Sequence, residues 1–147
     1  MKKSTLLMSA LLFSISNLTF ASAITSLNKA QVTNILKGNT ITTISLATLN
    51  GTLINNSFTG YFDKSGQIHG SFATKPYSDQ QGDRGKWVVK SDGTLCATWD
   101  HWHQSKPICV SVYKLENGMV FVNKENKKLE TIILDENIKS GNQLSSS

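Results

Sequence analysis

The sequence predicts an all-β protein: an antiparallel barrel or sandwich of roughly eight or nine short strands, preceded by one short helix. Two observations predict it. Turn-forming residues punctuate the chain about every 8 to 12 positions beyond Gly38, with β-branched and aromatic residues between them. No long helical period occurs past that glycine, which argues against alternating strands and helices. The composition agrees: 147 residues, 39% of them hydrophobic, with only 2 Cys and 2 Pro, suit one modest domain held by an apolar core. A disulfide-dense mini-protein and a disordered chain are both excluded on these grounds.

Residues 1–23 have the parts of a secretory signal peptide. Lys2 and Lys3 supply the positive start, Leu6 to Phe13 the apolar stretch, and Ala21-Ser22-Ala23 a small-residue cleavage site ending at Ala23. Ser14, Ser16, Asn17 and Thr19 interrupt the apolar run before the roughly 20 residues a spanning helix needs, so the chain is not read as membrane-spanning. The expected destination is the periplasm or the exterior. Without the two leader lysines, 13 basic residues face 10 acidic ones and the formal charge falls from +5 to +3. A footprint that weak, with Arg84 as its single arginine, argues against nucleic acid as a partner.

The helix is expected just after the leader. Ser26 or Asn28 can cap it, Leu27, Ala30, Val32, Ile35 and Leu36 give the apolar spacing, and Gly38 stops it. Ile41 to Leu49 then reads as a strand, Asn50-Gly51 as a hairpin turn and Thr52 to Ile54 as the return. Phe58 to Phe62 and Gln67 to Phe72 flank the turn Asp63-Lys64-Ser65-Gly66, with Phe58, Gly60 and Phe62 in one phase and Ile68, Gly70 and Phe72 in the other strand's matching phase. Thr74 to Gly85 holds almost nothing to bury and is expected to be a loop. Five strands follow: Lys86 to Lys90, Thr94 to Trp99, Ile108 to Lys114, Met119 to Asn123 and Leu129 to Leu134. Residues 24–144 make the domain, and 145–147 a disordered serine tail.

Cys96 and Cys109 fall on two neighbouring strands around the loop Asp100 to Pro107. In an exported chain this pair should form a disulfide, contributing roughly 3 kcal/mol by loop closure. If Cys96 faces Cys109, then Leu95 faces Val110 and Ala97 faces Ile108. That register collects Leu95, Ala97, Trp99, Ile108, Val110 and Val112 on one face, and a slip of one residue would mix the faces. Continued through a three-residue loop at Glu116-Asn117-Gly118, it sets Val112 opposite Val122, with Gly118 left-handed.

The run Gly85-Lys86-Trp87, then Asp92-Gly93-Thr94-Leu95-Cys96-Ala97-Thr98-Trp99, then Cys109-Val110-Ser111-Val112-Tyr113 resembles a known pattern. It is similar to the G-x-W, D-G-x-L-C-x-x-W and C-x-x-x-Y arrangement of the domain-of-unknown-function 995 group of small secreted bacterial proteins. Leu36 to Thr40 and Gly141-Asn142 fit as well. The resemblance implies a small antiparallel β-barrel of about eight short strands, calycin-like or lipocalin-like. A lipocalin carries its G-x-W near the start of the barrel, whereas Gly85 and Trp87 lie mid-chain. The group implies no settled activity.

Catalytic signatures such as G-x-S-x-G, H-E-x-x-H or a phosphate-cradling glycine loop are absent from the sequence, and its acids fall mostly in expected turns, so the chain is not read as an enzyme. The first functional reading is an exported binding protein whose cup, lined by Phe58, Phe62, Phe72, Trp87 and Trp99, takes a small apolar molecule or an envelope component. Tyr61, Tyr77 and Trp102 would stand at its mouth. The alternative is a protein-interaction or inhibitor module working through the hairpin tip Asp100 to Pro107. A third reading uses Asp100, His101 and His103, beside Trp102, to chelate Zn²⁺ or Cu²⁺, because imidazoles two apart on an extended strand share a side. No resident cofactor is expected.

Overall fold

The computed structural model describes residues 24–44, 48, 49, 52, 53, 57–72 and 82–144. The leader 1–23 with its cleavage site at Ala23, the Asn50-Gly51 turn, Ile54, Tyr77, most of the 74–85 loop and the tail 145–147 lie outside these residues.

Helix α1 spans Lys29–Leu36. Asn28 caps it by accepting from the Gln31 amide at 3.0 Å, while the Gln31 side chain accepts from the Asn28 amide at 2.9 Å. This reciprocal capping box satisfies two amides that the first turn leaves open. Gly38, at φ +80°, ends the helix and turns the chain into the first strand.

The strands are β1 (Asn39–Thr42), β2 (Thr48–Leu49), β3 (Thr52–Leu53), β4 (Phe58–Phe62), β5 (Gln67–Phe72), β6 (Gly82–Val89), β7 (Leu95–Trp99), β8 (Ile108–Leu115), β9 (Gly118–Asn123), β10 (Leu129–Leu134) and β11 (Ile138–Ser140). β2 and β3 pair only with each other. The other nine form one antiparallel sheet in the order β10-β9-β8-β7-β6-β5-β4-β1-β11. β10 and β11 are two parts of one stave, separated by a 3₁₀ turn at Asp135–Asn137. β1 pairs with β11, and just beyond it the Ile44 amide donates to the Ile132 carbonyl of β10 at 2.8 Å. The sheet thus curls into a nearly closed barrel of eight staves, which leaves little free strand edge.

Alternation decides what the barrel contains. The inward residues of β6 to β9, among them Trp87, Val89, Leu95, Trp99, Val110, Val112, Met119 and Phe121, are buried with Ile41, Phe62, Ile68 and Ile133. Val32 and Leu36 of α1, each 1% exposed, close one end of this core, hereafter the helix end. The turns 63–66 and 90–94 lie at that end. The opposite, loop end carries the connections after β7 and β9.

The cysteine register is as expected: Cys96 faces Cys109, Leu95 faces Val110, and Ala97 faces Ile108, with the disulfide formed. The Cys109 carbonyl accepts from the Lys124 amide just beyond β9, so the two cysteines form a non-hydrogen-bonded pair, and their Cα atoms lie 4.1 Å apart. The β4–β5 hairpin also has the expected phase, with Phe58, Gly60 and Phe62 opposite Phe72, Gly70 and Ile68.

Three expectations are corrected and one unexpected strand is added. The long strand Ile41 to Leu49 breaks after Thr42, where Thr43 turns its hydroxyl to the Phe58 amide at 3.0 Å. The loop expected through Gly85 is already strand from Gly82, in strict exposed-buried alternation. The β8–β9 turn has two residues, Glu116 and Asn117, so Val112 faces Phe121 rather than Val122. That register turns Met119 and Phe121 inward, which removes more apolar surface from water than burying Val120 and Val122. Gly118 is not left-handed; it is needed because a Cβ there would stand 2.5 Å from the Ile133 carbonyl oxygen. Finally β11, short and polar, has no signal in its own sequence and exists through its pairing with β1.

Candidate functional site

At the loop end the chain leaves β7 at Trp99 and returns at Ile108. Between them lies a 3₁₀ turn, Trp102–Ser105, whose entry is held by one buried carboxylate. The parity that sends Trp87 and Val89 inward on β6 also sends Asp83 inward. Its side chain is 2% exposed and meets four donors. Oδ2 accepts from the amides of His101 at 2.9 Å and Trp102 at 2.8 Å, and Oδ1 accepts from the Arg84 amide at 2.9 Å. The fourth partner is His101 Nδ1, 2.9 Å from Oδ1. An ionised carboxylate only accepts, so Nδ1 carries the proton.

Burial on its own would raise the Asp83 pKa, but the bonds from the Trp102 amide, the His101 ring and the His101 and Arg84 amides outweigh it and hold it below the usual carboxylate value of 3.8. The hydrogen bond to Asp83, reinforced by the carboxylate's charge, raises His101 above its ordinary 6.5. Asp83 therefore stays charged at neutral pH. It fixes the entry to the loop as an N-cap carboxylate fixes a helix.

The clamp aims Trp102 back over the barrel. Its ring lies 4.8 Å from Trp99, 5.0 Å from Phe72 and 6.4 Å from Phe58, centroid to centroid. Phe58 in turn meets Phe72 at 5.5 Å and Trp99 edge-on at 5.7 Å. Room for this cluster comes from Gly60 and Gly70, paired across β4 and β5. A Cβ on Gly60 would lie 2.5 Å from the Phe58 ring, and one on Gly70 would lie 2.6 Å from both Phe58 and Trp99.

Beyond Trp102 the backbone is unusual. His103, Gln104 and Ser105 have φ of 55°, 57° and 57°, three successive non-glycine residues in the left-handed region. Each such residue costs roughly 1–2 kcal/mol and persists only where its surroundings over-determine it. Here the Ser105 hydroxyl donates to the Asp100 carbonyl at 2.7 Å and the Asp100 amide to the Arg84 carbonyl at 2.8 Å. The side chains of His101, His103, Gln104, Ser105 and Lys106 point outward, exposed.

The structure divides the expected cup residues between the two ends. Phe58, Phe72 and Trp99 pack under Trp102, whereas Phe62 and Trp87 meet edge-on at 5.4 Å near the helix end, where the Trp87 indole donates to the Asp63 carbonyl. Two open surface hollows among the described residues lie outside the barrel, about 340 Å³ beside Cys109 and about 260 Å³ beside α1; of the five aromatics only Trp87 lines either. Tyr61 points outward and stacks obliquely near His69 at 6.4 Å.

The extended geometry expected of His101 and His103 does not occur, because the 3₁₀ turn intervenes and His101 Nδ1 is engaged by Asp83. Among the described residues no three His, Cys, Asp or Glu side chains gather to hold a metal ion. The Asp83–His101 pair has the form of a proton-handling dyad, but no hydroxyl or thiol among the described residues hydrogen-bonds His101 Nε2. Asp83 was missed in the sequence because it sits among turn-forming residues. The available signal was its even spacing from Trp87 and Val89.

Comparison with known proteins finds no match. No family model, no curated protein and no solved structure is significantly similar to this chain. No helix among the described residues is long and apolar enough to cross a membrane.

Proposed function

We propose that the protein is an exported, non-catalytic binding module that meets an envelope protein through the loop Asp100 to Pro107. The observation that carries this reading is the clamp: a buried carboxylate fixes the entry of a polar loop at His101 and Trp102, and the three left-handed residues that follow stand exposed to solvent. Pre-ordering of that kind lowers the entropy lost on association. The charged leader, the apolar stretch and the Ala23 site support export, and the Cys96–Cys109 bridge fits an oxidising compartment. The packing of Phe58, Phe72 and Trp99 beneath Trp102 favours this reading over a small apolar ligand in a cup, since such a ligand has to displace Trp102.

We also propose, on the sequence pattern alone, a relation to the domain-of-unknown-function 995 group. The residues of that pattern fall on adjacent strands and have structural tasks. Gly85 faces Trp99 where a Cβ would meet the Thr98 carbonyl, Trp87 bonds Asp63, and Cys96 joins Cys109.

A photo-crosslinking residue placed at Gln104 tests the loop in cells of the native host. A discrete adduct is expected from position 104 and not from Lys128, and Asp83→Asn should abolish it while the disulfide and the barrel's circular dichroism persist. Equal labelling from both positions, or an adduct indifferent to Asp83→Asn, refutes the loop as the contact. A co-purifying small molecule found by native mass spectrometry and released by Trp102→Ala would instead establish the cup.

A further inference from the structure

Among the described residues two lysines, Lys114 and Lys124, are ion-paired and the others are not. On the β8–β10 side Lys114 holds Asp135 at 2.6 Å and Lys124 reaches Asp92 at 3.5 Å. Around the hollow of about 260 Å³ at the helix end stand Lys29, Lys37 and Lys64, and among the described residues none of their ammonium groups has an ion pair or a hydrogen bond. Lys29, Thr33 and Lys37 follow one another at i, i+4 and i+8, the spacing of a single helix stripe. Lys64 faces them from the β4–β5 turn, its stem lying over Gly38. The one acid in that turn, Asp63, is turned back on its own loop, accepting from the Ser65 amide at 2.6 Å. Between the banks are the edge of Trp87 and Val88, the latter 57% exposed.

Folding gives no reason for a cation at position 29. Lys29 occupies the first turn of α1, where a cation opposes the helix dipole, and that turn contains no acid to offset it. Three like charges line one hollow, offset in part by the Asp63 carboxylate that feels the charge of Lys64, and a bound anion relieves the repulsion that remains. We propose that this hollow is a binding site for a phosphate group, carried on a body whose less polar part rests on Val88. Three ammonium groups and the Thr33 hydroxyl supply donors enough for the oxygens of a phosphate mono- or diester. The site lies at the opposite end of the barrel from the clamped loop and is independent of it.

The test is calorimetric titration of the folded, oxidised mature protein with inorganic phosphate and glycerol phosphate, and co-sedimentation with phosphatidylglycerol or phosphatidylcholine vesicles. Amide NMR shifts of Ser65, Gly66 and Lys37 locate the site. One saturable site is expected, weakened about threefold to fivefold by Lys37→Gln and by Lys64→Gln, the loss appropriate to one exposed charge contact. Lys128→Gln removes the same charge elsewhere and should leave binding unchanged. Lysine-dependent binding to the anionic vesicles alone identifies a lipid headgroup as the source, and binding of the soluble esters alone identifies a free phosphate ester. Absence of saturable binding in every arm, or an equal loss in Lys128→Gln, overturns the proposal. A melting curve for each variant separates lost binding from lost folding.

Discussion

At the helix end of the barrel, Val32 and Leu36 are almost wholly buried, and a reciprocal capping box secures the helix that carries them. At the loop end a half-buried Trp102 covers Phe58, Phe72 and Trp99, and one carboxylate keeps it there. The first closure is apolar and distributed over several residues. The second concentrates on Asp83, whose four acceptor contacts order a strained loop. Distributed apolar closure yields stability, whereas a polar clamp yields a fixed shape at the surface that depends on protonation.

The largest expected effect breaks the helix end. Leu36→Ala should destabilise the fold by about 3 kcal/mol in urea denaturation, the usual size for emptying a packed leucine site. Trp102 fluorescence and the global transition should move together. At the loop end Asp83→Ala should cost about 2–3 kcal/mol, since it strands the buried amides of His101 and Trp102. Its mark is local: hydrogen exchange at residues 101–106 should accelerate far more than at 29–36. If both ends accelerate equally in that variant, the two closures are one cooperative unit and the contrast fails.

The loop end should also respond to pH in a way the helix end does not. The Asp83 pKa is lowered on folding, so its stabilisation is present above the ordinary carboxylate value of 3.8 and is lost as pH falls through the depressed value. His101 is raised, so its contribution is complete below 6.5 and is lost as pH rises through its elevated value. The charged pair is therefore fully formed between those limits. The Trp102 indole resonance should hold steady there and shift on either side, and His101→Gln should remove the alkaline limb alone. The smallest effect is Asn28→Ala, expected to lower stability by about 1 kcal/mol through loss of the helix cap, with no change at the loop.

Much of this architecture was readable along the chain. The pairing of Phe58, Gly60 and Phe62 with Phe72, Gly70 and Ile68 followed from alternation, and the Cys96–Cys109 register followed from apolar parity. The candidate site was half legible. The sequence points to the loop Asp100 to Pro107 as a hairpin tip with two histidines, yet its entry is held by Asp83, 18 residues before His101 in sequence. A carboxylate among turn residues looks solvated until four donors converge on it, and that convergence is non-local.

The sequence by itself determined local quantities: where β4, β5 and β7 to β10 lie within a few residues, the phase of the β4–β5 and β7–β8 pairs, where Gly38 terminates the helix, and which strands the cysteines join. These depend on backbone preference and side-chain period, which neighbouring residues define. Only the tertiary structure decided that β1 would close the barrel against β10 and β11, that Met119 and Phe121 would face inward, and that Trp102 would cover the aromatic end. Each of those choices compares the burial of one distant partner with another, and that comparison has no value until the sheet has curled.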